Sequence, residues 1–189
     1  MRSQTAPYGS VVSAWVKNAR VNELGPGTPD SGQQAALAGL SAEDLVAPHR
    51  LGSREMALAC LAGLWLRYDF LEESHRISQD LESPTGSFWH GILHRREGDY
   101  SNAKYWFRRV GRHPVFGPLA TAAHELAGET KVPGAETLTL TGVWDDLQFV
   151  DLCQRAIEGP PPLRQLCMLI QQREWELLFD YCYRQAIGE

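Results

Sequence analysis

The sequence predicts an all-α protein assembled from antiparallel helical hairpins, and three observations carry that reading. Apolar residues recur at spacings of three and four along most of the 189 residues, the period of one helical face. The periodic segments are joined by very short breaker runs, SPTG at 83–86 and Gly98-Asp99, which leave no room for anything but a helix folding back on its neighbour. Finally, Tyr100 follows Phe70 by 30 residues, each opening the second helix of a hairpin just after an aspartate. Self-similarity near that period marks stacked helical pairs.

Taken in order, Ser10 to Arg20 predicts a short helix presenting Val12, Trp15 and Val16, and GPGTPDSG (25–32) then breaks the chain. Gln33–Leu40 and Ala42–Val46 read as short helices. Ser41 caps the second, and Glu43 and Asp44 sit in its positive first turn. Residues 1–50 together read as an N-terminal capping segment for the body that follows.

Ser53 is a good N-cap, and MALACLAGLWL carries an almost uninterrupted apolar helix to about Leu66. Asp69 is placed to cap a second helix with Phe70, Ser74, Ile77 and Leu81 on one face. Phe88–Arg96 and Tyr100–Val110 form the next hairpin. Tyr100, Ala103, Phe107 and Val110 line the face of its second helix, Gly111 supplies a left-handed exit, and Pro114 forbids continuation. Residues 53–114 are therefore two hairpins. Beyond them, 115–189 predicts irregular helices and a C-terminal hairpin. GPLATAAHELAGE ends near Gly128, Glu129–Thr141 is either a loop or a short extended piece, and Trp144 to Ile157 forms a helix closed by Gly159 and prolines 160–162. Leu163–Ile170 then precedes a polar turn at Gln171–Arg173 and a helix bearing Trp175, Leu178, Phe179, Cys182 and Ala186. All of this reads as one helical domain, 1–189.

Composition narrows the function classes. With 43% apolar, 22% charged and a net charge of -5, the chain is an ordinary globular one, and nucleic acid is an improbable partner. No apolar run is long enough to span a bilayer. The first residues lack the continuous apolar core of a secretory signal. Cysteines 60, 153, 167 and 182 form no CxxC pair and lie in apolar helical patterns, so buried free thiols and a soluble, cytoplasmic protein are expected. GxSxG, GxxxxGK[ST], HExxH and GxGxxG are all missing from the sequence. No catalytic residue is nominated, no cofactor is expected, and the balance falls against an enzyme.

The stretch Ser87–Pro114 holds the sites worth testing. It contains three of the six histidines, and six cations (Arg95, Arg96, Lys104, Arg108, Arg109, Arg112) against two carboxylates. Lys104, Arg108 and Arg112 repeat every four residues, a repulsive stripe in an isolated helix, so something anionic should face them. Either it is internal, for instance Asp145-Asp146 or Glu72-Glu73, with the last-turn arginines offsetting helix dipoles, or it is a bound phosphate, carboxylate or acidic peptide beside Trp89, Tyr105 and Trp106. His90 and His94, four apart on one helix, share a face and could ligate a metal, the third ligand being unassigned among His49, His75, His113, His124 and several carboxylates. Alternatively they are core histidines bonded to Tyr100 or a carboxylate.

Over about 28 residues the same stretch resembles the tetratricopeptide repeat: Gly91 in the first helix, Gly98-Asp99-Tyr100 at the turn, then Ala103, Phe107 and Pro114. The 53–82 hairpin lacks the glycine and has Glu73 where the small alanine would fall. The 163–187 segment keeps only Trp175, Leu178 and Cys182 in comparable places. The resemblance implies a divergent helical-repeat scaffold, with extra N-terminal and central helices, that docks a protein or acidic peptide. The expected docking face is Trp89, Arg95, Arg96, Tyr105, Arg108 and Arg112. The competing expectation is an enzyme or sensor using His90/His94 on a metal or small anion.

Overall fold

Capping chemistry fixes where most helices begin. Ser41 forms a reciprocal capping box with Asp44, and Ser53, Ser83, Asp99 and Asp145 each accept a backbone N–H from the first turn they precede. A computed structural model of the chain describes residues 8–17, 20–130, 132–133, 135 and 143–189. Among these there are ten α-helices and no strand. The N-terminal part holds α1 (Ser10–Val16), α2 (Ser31–Ala38) and α3 (Ala42–Val46). Two hairpins follow, α4 (Arg54–Arg67) with α5 (Leu71–Ser78) and α6 (Pro84–Glu97) with α7 (Tyr100–Val110). Then come α8 (Phe116–Thr130), α9 (Asp146–Glu158) and α10 (Pro161–Ile187).

The hairpins lie side by side, α6 packing on both α4 and α5, and α7 continuing to α9. Small residues set the spacing. A Cβ at Gly63 on α4 would fall 2.8 Å from the ring of buried Trp89 on α6, and one at Gly91 would meet the Phe107 ring at 3.0 Å. Phe107 thus covers Gly91 within its own hairpin, with Ala103 buried alongside. Gly98 (φ 80°) and Gly111 (φ 64°) adopt the positive φ that lets the chain leave α6 and α7.

The 163–187 segment is not a hairpin. It is a single helix of 27 residues, α10, about 40 Å long at 1.5 Å per residue. Gln171, Gln172 and Arg173 interrupt the apolar pattern, but all three are good helix formers and no glycine or proline stands among them. The prolines work at the other end, where Pro161 and Pro162 occupy the first helical positions. α10 is a strut against α3, α4, α8 and α9, and it holds the N-terminal segment too. Tyr183 Oη accepts from Gly9 N at 2.9 Å, and the Ala186 carbonyl accepts from Gly52 and Ser53 at 2.7 and 3.1 Å.

Asp69 also departs from expectation. It does not cap α5, whose N-cap is Phe70 without a side-chain bond. Asp69 instead takes a left-handed φ of 66°, which turns its carboxylate away from α5 and inward to Arg96 and Asn22. All four cysteines are buried free thiols. No helix among the described residues is long and apolar enough to cross a membrane. The Thr/Leu alternation at 137–141 lies outside the described residues.

Candidate functional site

α6 organises the site because it is uncharged on every face from Pro84 to Leu93, the pattern of a fully enclosed helix. Twelve consecutive residues, Thr85–Arg96, are buried. Its last-turn arginines are carried inside with it. Trp89 is 0% exposed, Arg95 1% and Arg96 2%, so these three do not belong to a docking face.

Their charges are answered internally. Arg95 makes a bidentate contact with the buried Glu174 of α10, one bond being 3.1 Å, and reaches the Gln171 amide oxygen at 3.4 Å. Its guanidinium also lies 4.7 Å from the Phe149 ring centroid. Burial works against the Arg95 charge, but Glu174 outweighs it and holds the guanidinium's pKa above the usual arginine value. Arg96 donates to the Leu66, Gly25 and Pro26 carbonyls at 2.6, 3.2 and 3.2 Å and to Asp69. Asp69 accepts in turn from Arg20 and Asn22. These networks clamp α6 to α10 and to the N-terminal loop.

The remaining cations lie on α7 and just beyond its end. Lys104 pairs with Asp151 of α9 at 2.5 Å, and Arg109 lies over the rings of Tyr105 and Trp106 at 5.9 and 5.2 Å. Arg108 and Arg112, exposed and one turn apart, form no ion pair among the described residues. Both line an open groove of about 770 Å³ whose apolar part is Phe107, Phe116, Trp144 and Leu147. Asp145 and Asp146 stand in the same groove. Asp145 is engaged in capping α9, accepting from the Gln148 backbone and side chain at 2.9 Å each. The Asp146 carboxyl is pushed up to about 6, chiefly by burial. Beyond Arg108, a second depression of about 520 Å³ is lined by Asp99, Tyr100, Lys104 and Gln154. Tyr105, 51% exposed, flanks this stripe.

His90 and His94 do share a face of α6, and His75 of α5 joins them. One nitrogen from each ring lies within 4.8 Å of the other two. His94 is fixed at both ends. The Asn102 amide donates to Nε2 at 3.1 Å, leaving Nδ1–H to donate to Glu97 at 2.8 Å. His90 is stacked on Trp106 at 3.9 Å and is 2% exposed, and neither of its nitrogens has a hydrogen-bond partner among the described residues. Burial, with His94 and His75 adding to it, pushes its pKa down to about 3. A neutral imidazole with both nitrogens orphaned loses about 1–3 kcal/mol of hydration.

Compared with protein-family models, curated proteins and solved structures, the chain matches none. Of the expected docking residues, Tyr105 and Arg108 on α7 and Arg112 just beyond its end are exposed, while Trp89, Arg95 and Arg96 are buried. Sequence reasoning missed the acidic partners Glu174 and Asp69, and it left the third histidine unassigned among candidates that included His75. His75 lies on α5 and His90 on α6, and no sequence spacing singles out His75 from the other candidate third ligands.

Proposed function

We propose that this chain is a divergent tetratricopeptide-like interaction module whose α7 face docks an acidic peptide. The supporting observation is the pair Arg108 and Arg112, two exposed guanidinium groups left without an ion pair among the described residues on the rim of an aromatic groove, whereas Lys104 is paired with Asp151 and Arg109 lies over Tyr105 and Trp106. Arginine presents a planar fork that matches carboxylates two bonds at a time. The adjoining Phe107, Phe116 and Trp144 suit an apolar side chain flanked by acids, so the occupant carries alternating carboxylate and aromatic or aliphatic residues. The net charge of -5 does not forbid this, since fields decay over about 8 Å at physiological salt and the stripe is felt locally.

The test is fluorescence anisotropy with a labelled peptide of alternating Glu and Phe, titrated with wild-type protein and with the double variant Arg108→Glu, Arg112→Glu. Reversing two rim charges turns attraction into repulsion worth about 2–3 kcal/mol, or a 30- to 150-fold loss of affinity. Circular dichroism should be unchanged because both side chains are exposed. Equal affinity for the two proteins would remove the arginine pair from the account.

A further inference from the structure

We propose that His75, His90 and His94 form a three-imidazole site for a divalent transition ion of the zinc class. Three features of the fold converge on it. The packing of α5 on α6 brings one ring from α5 to two rings on successive turns of α6, with the candidate nitrogens mutually within 4.8 Å. His90 is buried with both nitrogens unpartnered, although native proteins nearly always give a buried polar atom a partner. His94 is pre-oriented by Glu97 in the manner of second-shell carboxylates, its Nδ1–H held at 2.8 Å so that Nε2 presents the lone pair.

Nitrogen ligands at 2.0–2.1 Å in a tetrahedron are about 3.3 Å apart. The cluster therefore tightens by small ring rotations when an ion enters, and the Asn102 amide yields its place on His94 Nε2 to the metal. His75, partly exposed, stands at the entrance. All three donors are imidazoles, and among the described residues no thiol or carboxylate belongs to the cluster. That donor set suits Zn²⁺, Co²⁺, Ni²⁺ or Cu²⁺ and not Mg²⁺ or Ca²⁺. Three protein ligands leave one coordination position for water or another small molecule. The site stands apart from the peptide groove, and neither reading depends on the other.

Titrating the purified protein with Co²⁺, followed by the visible d–d absorption of a tetrahedral complex, and with Zn²⁺ in competition with a chromophoric chelator, tests the assignment. One equivalent of each should bind. His75→Ala and His90→Phe, the latter keeping a ring against Trp106, should each weaken Zn²⁺ binding about 100-fold or more. Glu97→Gln should weaken it about 10-fold. Both effects are read in protein whose helicity matches wild type. No cobalt absorption with wild-type protein, or stoichiometric Zn²⁺ binding retained by either histidine variant, overturns the assignment.

Discussion

Replacing Glu174 by glutamine probes the joint on which the placement of α6 depends. Arg95 and Glu174 both have fully buried side chains, so the pair lies in a medium where neither charge is hydrated. Glutamine preserves the shape and one acceptor oxygen but removes the negative charge, leaving the guanidinium with Gln171 and the Phe149 and Phe107 rings beside it. Removing one partner of a buried pair destabilises by about 3–5 kcal/mol, whereas replacing both by apolar side chains is often neutral or stabilising. Because glutamine still accepts one hydrogen bond, the lower figure applies. The midpoint of thermal unfolding should then fall by about 6–12 °C, at 2–4 °C per kcal/mol for a chain of this size. The assay is urea denaturation followed at 222 nm, with Arg95→Met, Glu174→Leu as the compensating double variant, expected to recover to within about 1 kcal/mol of wild type. A loss below about 1 kcal/mol for Glu174→Gln, or a double variant as unstable as the single one, would refute the claim that an uncompensated charge is what matters here.

Two further outcomes follow from the same structure. Arg173→Pro, at an exposed position in mid-α10, removes an intrahelical hydrogen bond and clashes with the preceding turn, so urea denaturation should register a loss of about 3 kcal/mol or more; a hairpin turn at that place would tolerate it. His113, 8% exposed and hydrogen-bonded to Thr85, has its pKa pushed down by burial from 6.5 to about 4. The unfolded chain takes up this proton first, so its contribution is fully present above pH 6.5 and is lost as pH falls toward 4, by about 3 kcal/mol at 1.36 kcal/mol per unit. Stability measured across that window should fall less steeply in His113→Gln than in wild type.

Local chemistry made much of the fold legible. α7 runs from Tyr100 to Val110 because Asp99 caps it and Gly111 releases it, both evident in the sequence, as were the Ser41 and Ser53 caps. The boundaries that failed depend on partners distant in sequence. The polar run Gln171–Arg173 looks like a solvated turn until Arg95 satisfies Gln171 and the neighbouring Glu174, 76 and 79 residues away, and the run then continues a buried helix. Asp69 caps nothing because Arg96, 27 residues on, claims its carboxylate. The same blind spot misplaced half of the docking face. Arginine ordinarily signals surface, yet the uncharged run Pro84–Leu93 marks α6 as enclosed, and its terminal charges had to be paired.

The peptide-docking claim is tested most directly by recording amide chemical shifts of the ¹⁵N-labelled protein during titration with the alternating Glu/Phe peptide. The account predicts saturable shifts confined to residues 104–116 and 143–148, disappearing when Arg108 and Arg112 are both glutamate. Shifts centred on α4 and α5, or none at all, would contradict it.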